Sequence, residues 1–206
     1  MNLGILIFPD VEELDFAGPW EMVGMWNKLS GVPDKRLIVS QSNTPITCAE
    51  GLSVVPHVTF EQCPKLDVLL VPGGQGTRKE VENPVLINFI EEQAKNCKAV
   101  LSVCTGAFLL HKAGLLSGKR ATTHWASLDR LRALGDVIVI EERVVHDGHI
   151  WTSAGVSAGI DLMLAFIADT ADEETAGKVQ LAAEYYPSAR RYGAAHRSLM
   201  APSYLK

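Results

Sequence analysis

A single α/β domain built on a parallel sheet is predicted by three observations. Apolar runs of strand length recur at residues 3–8, 37–39, 68–71, 99–103 and 137–140, and stretches of helical character lie at 18–28, 84–96, 105–113 and 124–134. The run at 99–103, Ala-Val-Leu-Ser-Val, is apolar at four positions of five, as a strand covered on both faces should be. A chain of 206 residues with 47% hydrophobic residues is long enough for one sizeable core.

The elements follow in order. Residues 3–8 form the first strand, and the long loop after it leads to a helix expected to start at Gly18 and Pro19 and to run to Lys28. That helix carries Trp20, Met22, Met25 and Trp26, whose spacing suits core or subunit-interface packing better than a ligand pocket. Asn83 is a good cap and Pro84 a good first residue for the helix at 84–96, while Gly114 and Gly135 are placed to end the helices before them. Residues 144–152, Val-Val-His-Asp-Gly-His-Ile-Trp-Thr, read as a hairpin around an Asp-Gly turn, appended to the sheet. An apolar helix at 156–168 and another from Asp172 to about Ala183 precede a weakly periodic tail from about residue 185 to 206. No repeat or linker is visible, so one domain over 1–206 is expected.

Composition narrows the partners. A net charge of −5 argues against general nucleic-acid binding, and Arg190, Arg191 and Arg197 in the tail are too few to reverse it, so a solvated or interface-wrapping tail is expected. No run approaches the length of a membrane span, and 3–8 is too short and lacks the basic flank of a secretory signal, so a cytoplasmic protein acting on a small molecule is expected. Cys48, Cys63, Cys97 and Cys104 show no CxxC pair or ligand-spaced histidines, which reads as reduced thiols without a zinc site. His146 and His149 flank the Asp-Gly turn, but nothing nearby completes a metal set; His57, His111 and His196 have no partner the sequence identifies.

Three loops at the carboxyl edge of such a sheet carry the candidate chemistry. Cys104, between the strand at 99–103 and the helix at 105–113, would occupy a tight strand-to-helix corner where helix amides and dipole favour thiolate, making it a candidate nucleophile; the competing reading is a small buried hydrophobe. Asp15 lies among apolar neighbours just ahead of the first helix, where burial would raise its pKa and a helix terminus would lower it; it is an acid–base candidate or a helix cap. Val71-Pro-Gly-Gly-Gln-Gly offers Gly73 and Gly74, whose backbone can approach a ligand and present amides to a developing anion, or can simply turn.

The ordered set Leu-Asp-Phe-Ala-Gly-Pro around Asp15, Val71-Pro-Gly-Gly, Ser102-Val-Cys-Thr-Gly, Gly118-Lys-Arg-Ala-Thr-Thr-His-Trp and Gly155-Val-Ser-Ala-Gly-Ile-Asp resembles the PfpI/ThiJ superfamily over nearly the whole chain. Within it, the chain is most similar to the isonitrile hydratase branch, which has Asp in the first loop and Cys-Thr-Gly at the corner. The resemblance implies a flavodoxin-like, amidotransferase-like sandwich with a nucleophile elbow at Cys104, a homodimer, and hydration of an isonitrile to an N-substituted formamide without a cofactor. It implies Cys104 as nucleophile, Asp15 as proton shuttle, Thr105 as a positioning hydroxyl, and the backbone of Gly73, Gly74 and Thr105 as anion donors.

Protease-like members carry a histidine where Thr105 stands, so a peptidase is a poor reading. His124 aligns with a histidine near the cysteine in stress-response members; it is an accessory polar candidate or a capping or core histidine braced by Trp125. The rival class is a thiol-based oxidant or ligand sensor, since the same domain resembles the sensing part of arabinose-regulator-type activators. The end of the chain at Lys206 leaves no room for their DNA-binding domain, which weakens that expectation. Glyoxal-type hydration or deglycation would call for Glu in place of Asp15.

Overall fold

In a computed structural model, residues 1–187, 191–198 and 201–205 are described. In chain order they form β1 (Asn2–Leu6), α1 (Glu13–Ser30), β2 (Lys35–Ser40), β3 (Ile46–Thr47), β4 (Ser53–Val54), β5 (Val58–Thr59), β6 (Val68–Val71), α2 (Thr77–Glu80), α3 (Pro84–Ala94), β7 (Ala99–Val103) and α4 (Gly106–Lys112). There follow β8 (Arg120–Ala121), a 3₁₀ turn at Trp125–Ser127, α5 (Leu128–Arg132), β9 (Ile138–Val139), β10 (Val144–Asp147), β11 (Ile150–Ser153), α6 (Ala158–Thr170) and α7 (Glu173–Ala182).

The main sheet runs β10-β11-β7-β6-β1-β2-β5, with every neighbouring pair parallel except β10 and β11. All residues of β6, β7 and β11 are buried, because helices cover both faces and leave no side of those strands for water. The fold is the expected flavodoxin-like α/β sandwich. Trp26 and Trp151 meet Phe166 edge-on beneath α6, with ring centroids 6.4 and 5.9 Å apart. Met22 and Trp26 are core residues, whereas Trp20 and Met25 are half-buried against the core.

Strand order reverses between β1 and β6, since β2 lies to one side of that pair and β7 and β11 to the other. Loops leaving the carboxyl ends of β1 and β6 therefore diverge and open a crevice. An antiparallel bridge between Val11 and Gly74 ties the two loops together. Register then aligns the site: Val71 pairs with Ser102 and Val103 with Ser153, which brings Gly73, Cys104 and the 154–156 turn to one height.

Several expectations need correction. α1 begins at Glu13, five residues before Gly18, so Asp15 lies inside its first turn rather than ahead of it. Gly18 and Pro19 disfavour helix in isolation, yet both pack against α6: a Cβ on Gly18 would fall 2.8 Å from Ile160 Cγ1, and one on Gly159 would fall 3.0 Å from Pro19 Cγ. The stretch 124–134 divides into the 3₁₀ turn and α5. The run at 137–140 gives only β9, which pairs with β8 in a separate two-stranded sheet. The hairpin expected as an appendage is one only in part: β11, its fully buried second arm, pairs parallel with β7 inside the main sheet, and only β10 is appended.

The Asn83 side chain accepts hydrogen bonds from the amides of Val85 and Leu86 to cap α3, and Gly114 and Gly135 take positive φ after α4 and α5. Among the described residues, no helix is long and apolar enough to cross a membrane, and no three metal-binding side chains cluster. His146 instead stacks on Trp151, with centroids 3.7 Å apart. Arg190 lies outside the described residues; Arg191 and Arg197 are exposed.

Candidate active site

Cys104 sits between β7 and α4 with φ +57°, a left-handed conformation that costs a non-glycine residue about 1–2 kcal/mol. The surrounding structure imposes it. Cys104 N–H donates to the carbonyls of Ser153 and Ala154 at 3.2 and 3.1 Å, and its own carbonyl accepts from Thr123 Oγ1 at 2.7 Å. The side chain, only 7% exposed, forms the floor of a cleft of about 270 Å³ whose wall includes Thr105, His124 and Val156.

Asp15 is fully buried. Its Oδ2 accepts from Gly73 N–H at 2.8 Å, while Oδ1 makes no hydrogen bond of normal geometry among the described residues. Burial pushes the carboxyl up to about 8; the Gly73 and Val156 amides and the Cys104 thiol pull it down by less. Asp15 is therefore mainly the neutral acid at pH 7. Gly73 permits this contact, because a Cβ there would lie 2.5 Å from Thr105 N and 2.9 Å from Asp15 Oδ2.

The thiol departs from expectation. Burial, reinforced by Asp15, pushes Cys104 up to about 12, against the weaker pull of the Thr105 and Val156 amides. α4 is only seven residues long, and its end does not offset the loss of water around sulfur. At neutral pH the site holds two protonated groups side by side.

Thr105 Oγ1 accepts from Gly74 N–H at 3.1 Å and lies 3.2 Å from the Gly74 carbonyl as donor, with Thr77 Oγ1 3.1 Å away. The amides of Gly73 and Gly74 are thus engaged by Asp15 and Thr105 rather than open to an anion. The amides that face sulfur belong to Thr105 and Val156. Val156, also left-handed at φ +52°, was given no chemical role by sequence; a β-branched residue does not advertise such a backbone, and the flanking Gly155 and Ser157 were the only hint.

His124 Nδ1 accepts from Ala126 N–H at 3.2 Å and caps the 3₁₀ turn, and its ring leans on Trp125 at 5.6 Å. Burial lowers its pKa, which keeps it neutral with the hydrogen on Nε2 at the cleft wall. Glu12, Arg78 and Arg130 also line the cleft and were not singled out by sequence. Glu12 is raised by burial and by Glu13 and Glu50.

Residues 1–169 match the DJ-1/PfpI family. The isonitrile hydratase of Pseudomonas putida is 43% identical over 189 residues, covering 91% of this chain and 80% of that protein. The crystal structure of a ThiJ/PfpI family protein from Pseudomonas syringae superposes with a TM-score of 0.86 at 34% identity, over 99% of this chain and 82% of the other. The HTH-type transcriptional regulator CdhR of Pseudomonas aeruginosa is 30% identical over 175 residues, which is 84% of this chain but 52% of the regulator.

Proposed function

The chain belongs to the DJ-1/PfpI family, and from that premise we propose that it hydrates an isonitrile to an N-substituted formamide, with Cys104 as nucleophile and Asp15 as proton shuttle. The observation that carries this reading is the buried, protonated carboxyl of Asp15 beside a thiol held in a left-handed corner.

A neutral thiol and a neutral acid suit this substrate. The terminal carbon of an isonitrile has a lone pair and becomes strongly electrophilic once protonated. Asp15 donates its proton to that carbon; sulfur attacks, the C–S bond forms, and the thiol proton passes to the Asp15 carboxylate. The product of this half is a thioimidate, R–N=CH–S–Cys104. Asp15 then protonates nitrogen and accepts a proton from water as the water oxygen adds to carbon. Collapse of the adduct breaks C–S, the hydroxyl proton returns to sulfur through Asp15, and R–NH–CHO leaves. The Thr105 and Val156 amides stabilise charge on sulfur during attack and departure. The hydroxyl of Thr105, held by Gly74 and Thr77, fixes the loop that positions Asp15, and His124 Nε2 offers a donor at the cleft wall.

Likeness to CdhR supports a second reading as a ligand or oxidant sensor. The protonated thiol weakens its oxidant form, because peroxide attacks thiolate. The reading extends to a cytoplasmic homodimer; Leu52 and Val55, exposed around β3 and β4, support a partner surface. Incubation with cyclohexyl isonitrile is expected to yield N-cyclohexylformamide, and an acid quench to trap a mass adduct on Cys104. No formamide from a panel of alkyl and aryl isonitriles would overturn the proposal.

A further inference from the structure

We propose, resting on the hydratase reading above, that the preferred substrate carries a carboxylate near its isonitrile group, and that Arg78 and Arg130 are the residues that select it. Both arginines line the cleft that Cys104 also lines. Both also line a second recess of about 360 Å³, together with Val81, Phe108, Ala133 and Leu134, so the two recesses share this pair of arginines.

Neither arginine makes an ion pair among the described residues, although Arg132, two positions along from Arg130, binds both Asp129 and Glu141. Each is instead held by a neutral group. The Arg130 guanidinium lies 4.6 Å from the centroid of the Phe108 ring, and Arg78 donates to Gln75 Oε1. A guanidinium steadied by an aromatic face or an amide keeps its charge available and loses little freedom when an anion arrives. Among the described residues the one acid lining the cleft is Glu12, which ends the loop after β1, borders Gly74 and does not line the second recess. Its backbone amide is held by the Gly73 carbonyl, which keeps it on the β1-loop side of the cleft, away from the recess that the two arginines share. With Asp15 neutral, the charged side chains lining the cleft among the described residues are Arg78, Arg130 and Glu12, and of these only the two cations also line the second recess.

A neutral alkyl isonitrile would use neither guanidinium. A substrate with its carbon at Cys104, a carboxylate between the arginines and an apolar chain over Phe108 would use the whole surface.

The test compares 3-isocyanopropanoate with its methyl ester, in which a methyl group replaces the negative charge. Wild-type protein is expected to favour the carboxylate by about tenfold in kcat/KM, a modest factor because exposed charge pairs are screened. The ratio should shrink in 0.5 M salt and approach one in the double variant Arg78→Gln, Arg130→Gln. A wild-type ratio at or below one, or a preference that survives in the double variant, overturns the proposal. Binding of the formamide product N-formyl-β-alanine, followed by calorimetry, separates this failure from that of the hydratase reading. Arginine-dependent binding without turnover of either isonitrile would reject the hydratase and keep the anion site. Turnover of both without preference would do the reverse.

Discussion

One strand carries a cysteine at each end, and the two ends of β7 behave differently. Cys97, two residues before the strand, and Cys104, directly after it, are both pushed up to about 12, chiefly by burial. Each also has a carboxyl nearby. Asp67, beside Cys97, accepts from Asn2 N–H at 2.8 Å and faces Lys98, which together hold it below the usual carboxylate range. Asp15, beside Cys104, has lost its water and keeps its proton. What separates the ends is thus the neighbour's proton and the left-handed backbone, with thiol acidity the same at both. A protonated acid can deliver hydrogen to a substrate atom; an ionised one with satisfied oxygens cannot.

The largest effect expected from this contrast is at the cysteines. Cys104→Ala should leave no detectable formamide by NMR, while Cys97→Ala should stay within about twofold of wild type, as expected away from the reacting atoms. Equal loss in both would show that burial alone, and not the corner, governs the chemistry. Next come the acids. Asp15→Asn should lower kcat by about 10² to 10⁴, the usual weight of general acid–base catalysis, whereas Asp67→Asn should barely change it. In wild type, kcat/KM should hold up to a pH of about 8 and fall above it as Asp15 ionises; a profile that rises through that range would assign the wrong protonation state. Thr105→Val, which strips the hydroxyl from Gly74 and Thr77, should cost about tenfold in kcat/KM, the size of one misplaced hydrogen bond.

Stability offers the gentlest test, and the two acids have opposite signs. The folded-state pKa of Asp15 is raised, so its contribution is full below pH 3.8 and is lost as pH rises toward about 8. Denaturant melts should therefore show Asp15→Asn gaining on wild type between pH 4 and 8, by on the order of a few kcal/mol. Asp67 is lowered, so its smaller contribution is present at neutral pH and fades in acid. Parallel curves for Asp15→Asn and wild type would mean that the carboxyl is ionised throughout.

Much of this architecture was legible because local chemistry and global fold agree. β6, β7 and the capped α3 announce themselves by continuous apolar runs and by Asn83-Pro84. The start of α1 was hidden because Gly18 and Pro19 look like helix breakers, and their reason for being helical lies in α6, some 140 residues away. β9 left the main sheet and β11 entered it because a four-residue run and a hairpin arm look alike until burial decides between them. At the site, sequence named Cys104, Asp15 and Thr105, which the fold brings together. It misjudged the thiol, since desolvation depends on what closes over the sulfur, and it passed over the amide of Val156, since backbone direction leaves no mark on residue type.

The notches at Gly18 and Gly159 give the molecule a remote dial. Asp15 rides on α1, and the Val156 amide immediately precedes α6, so the way these two helices nest sets how far acid and amide stand from sulfur. A single methyl group added at either notch would reset those separations without touching any atom a ligand meets. Evolution, or a laboratory library, can therefore tune turnover from the back of the protein while leaving the recognition surface as it is.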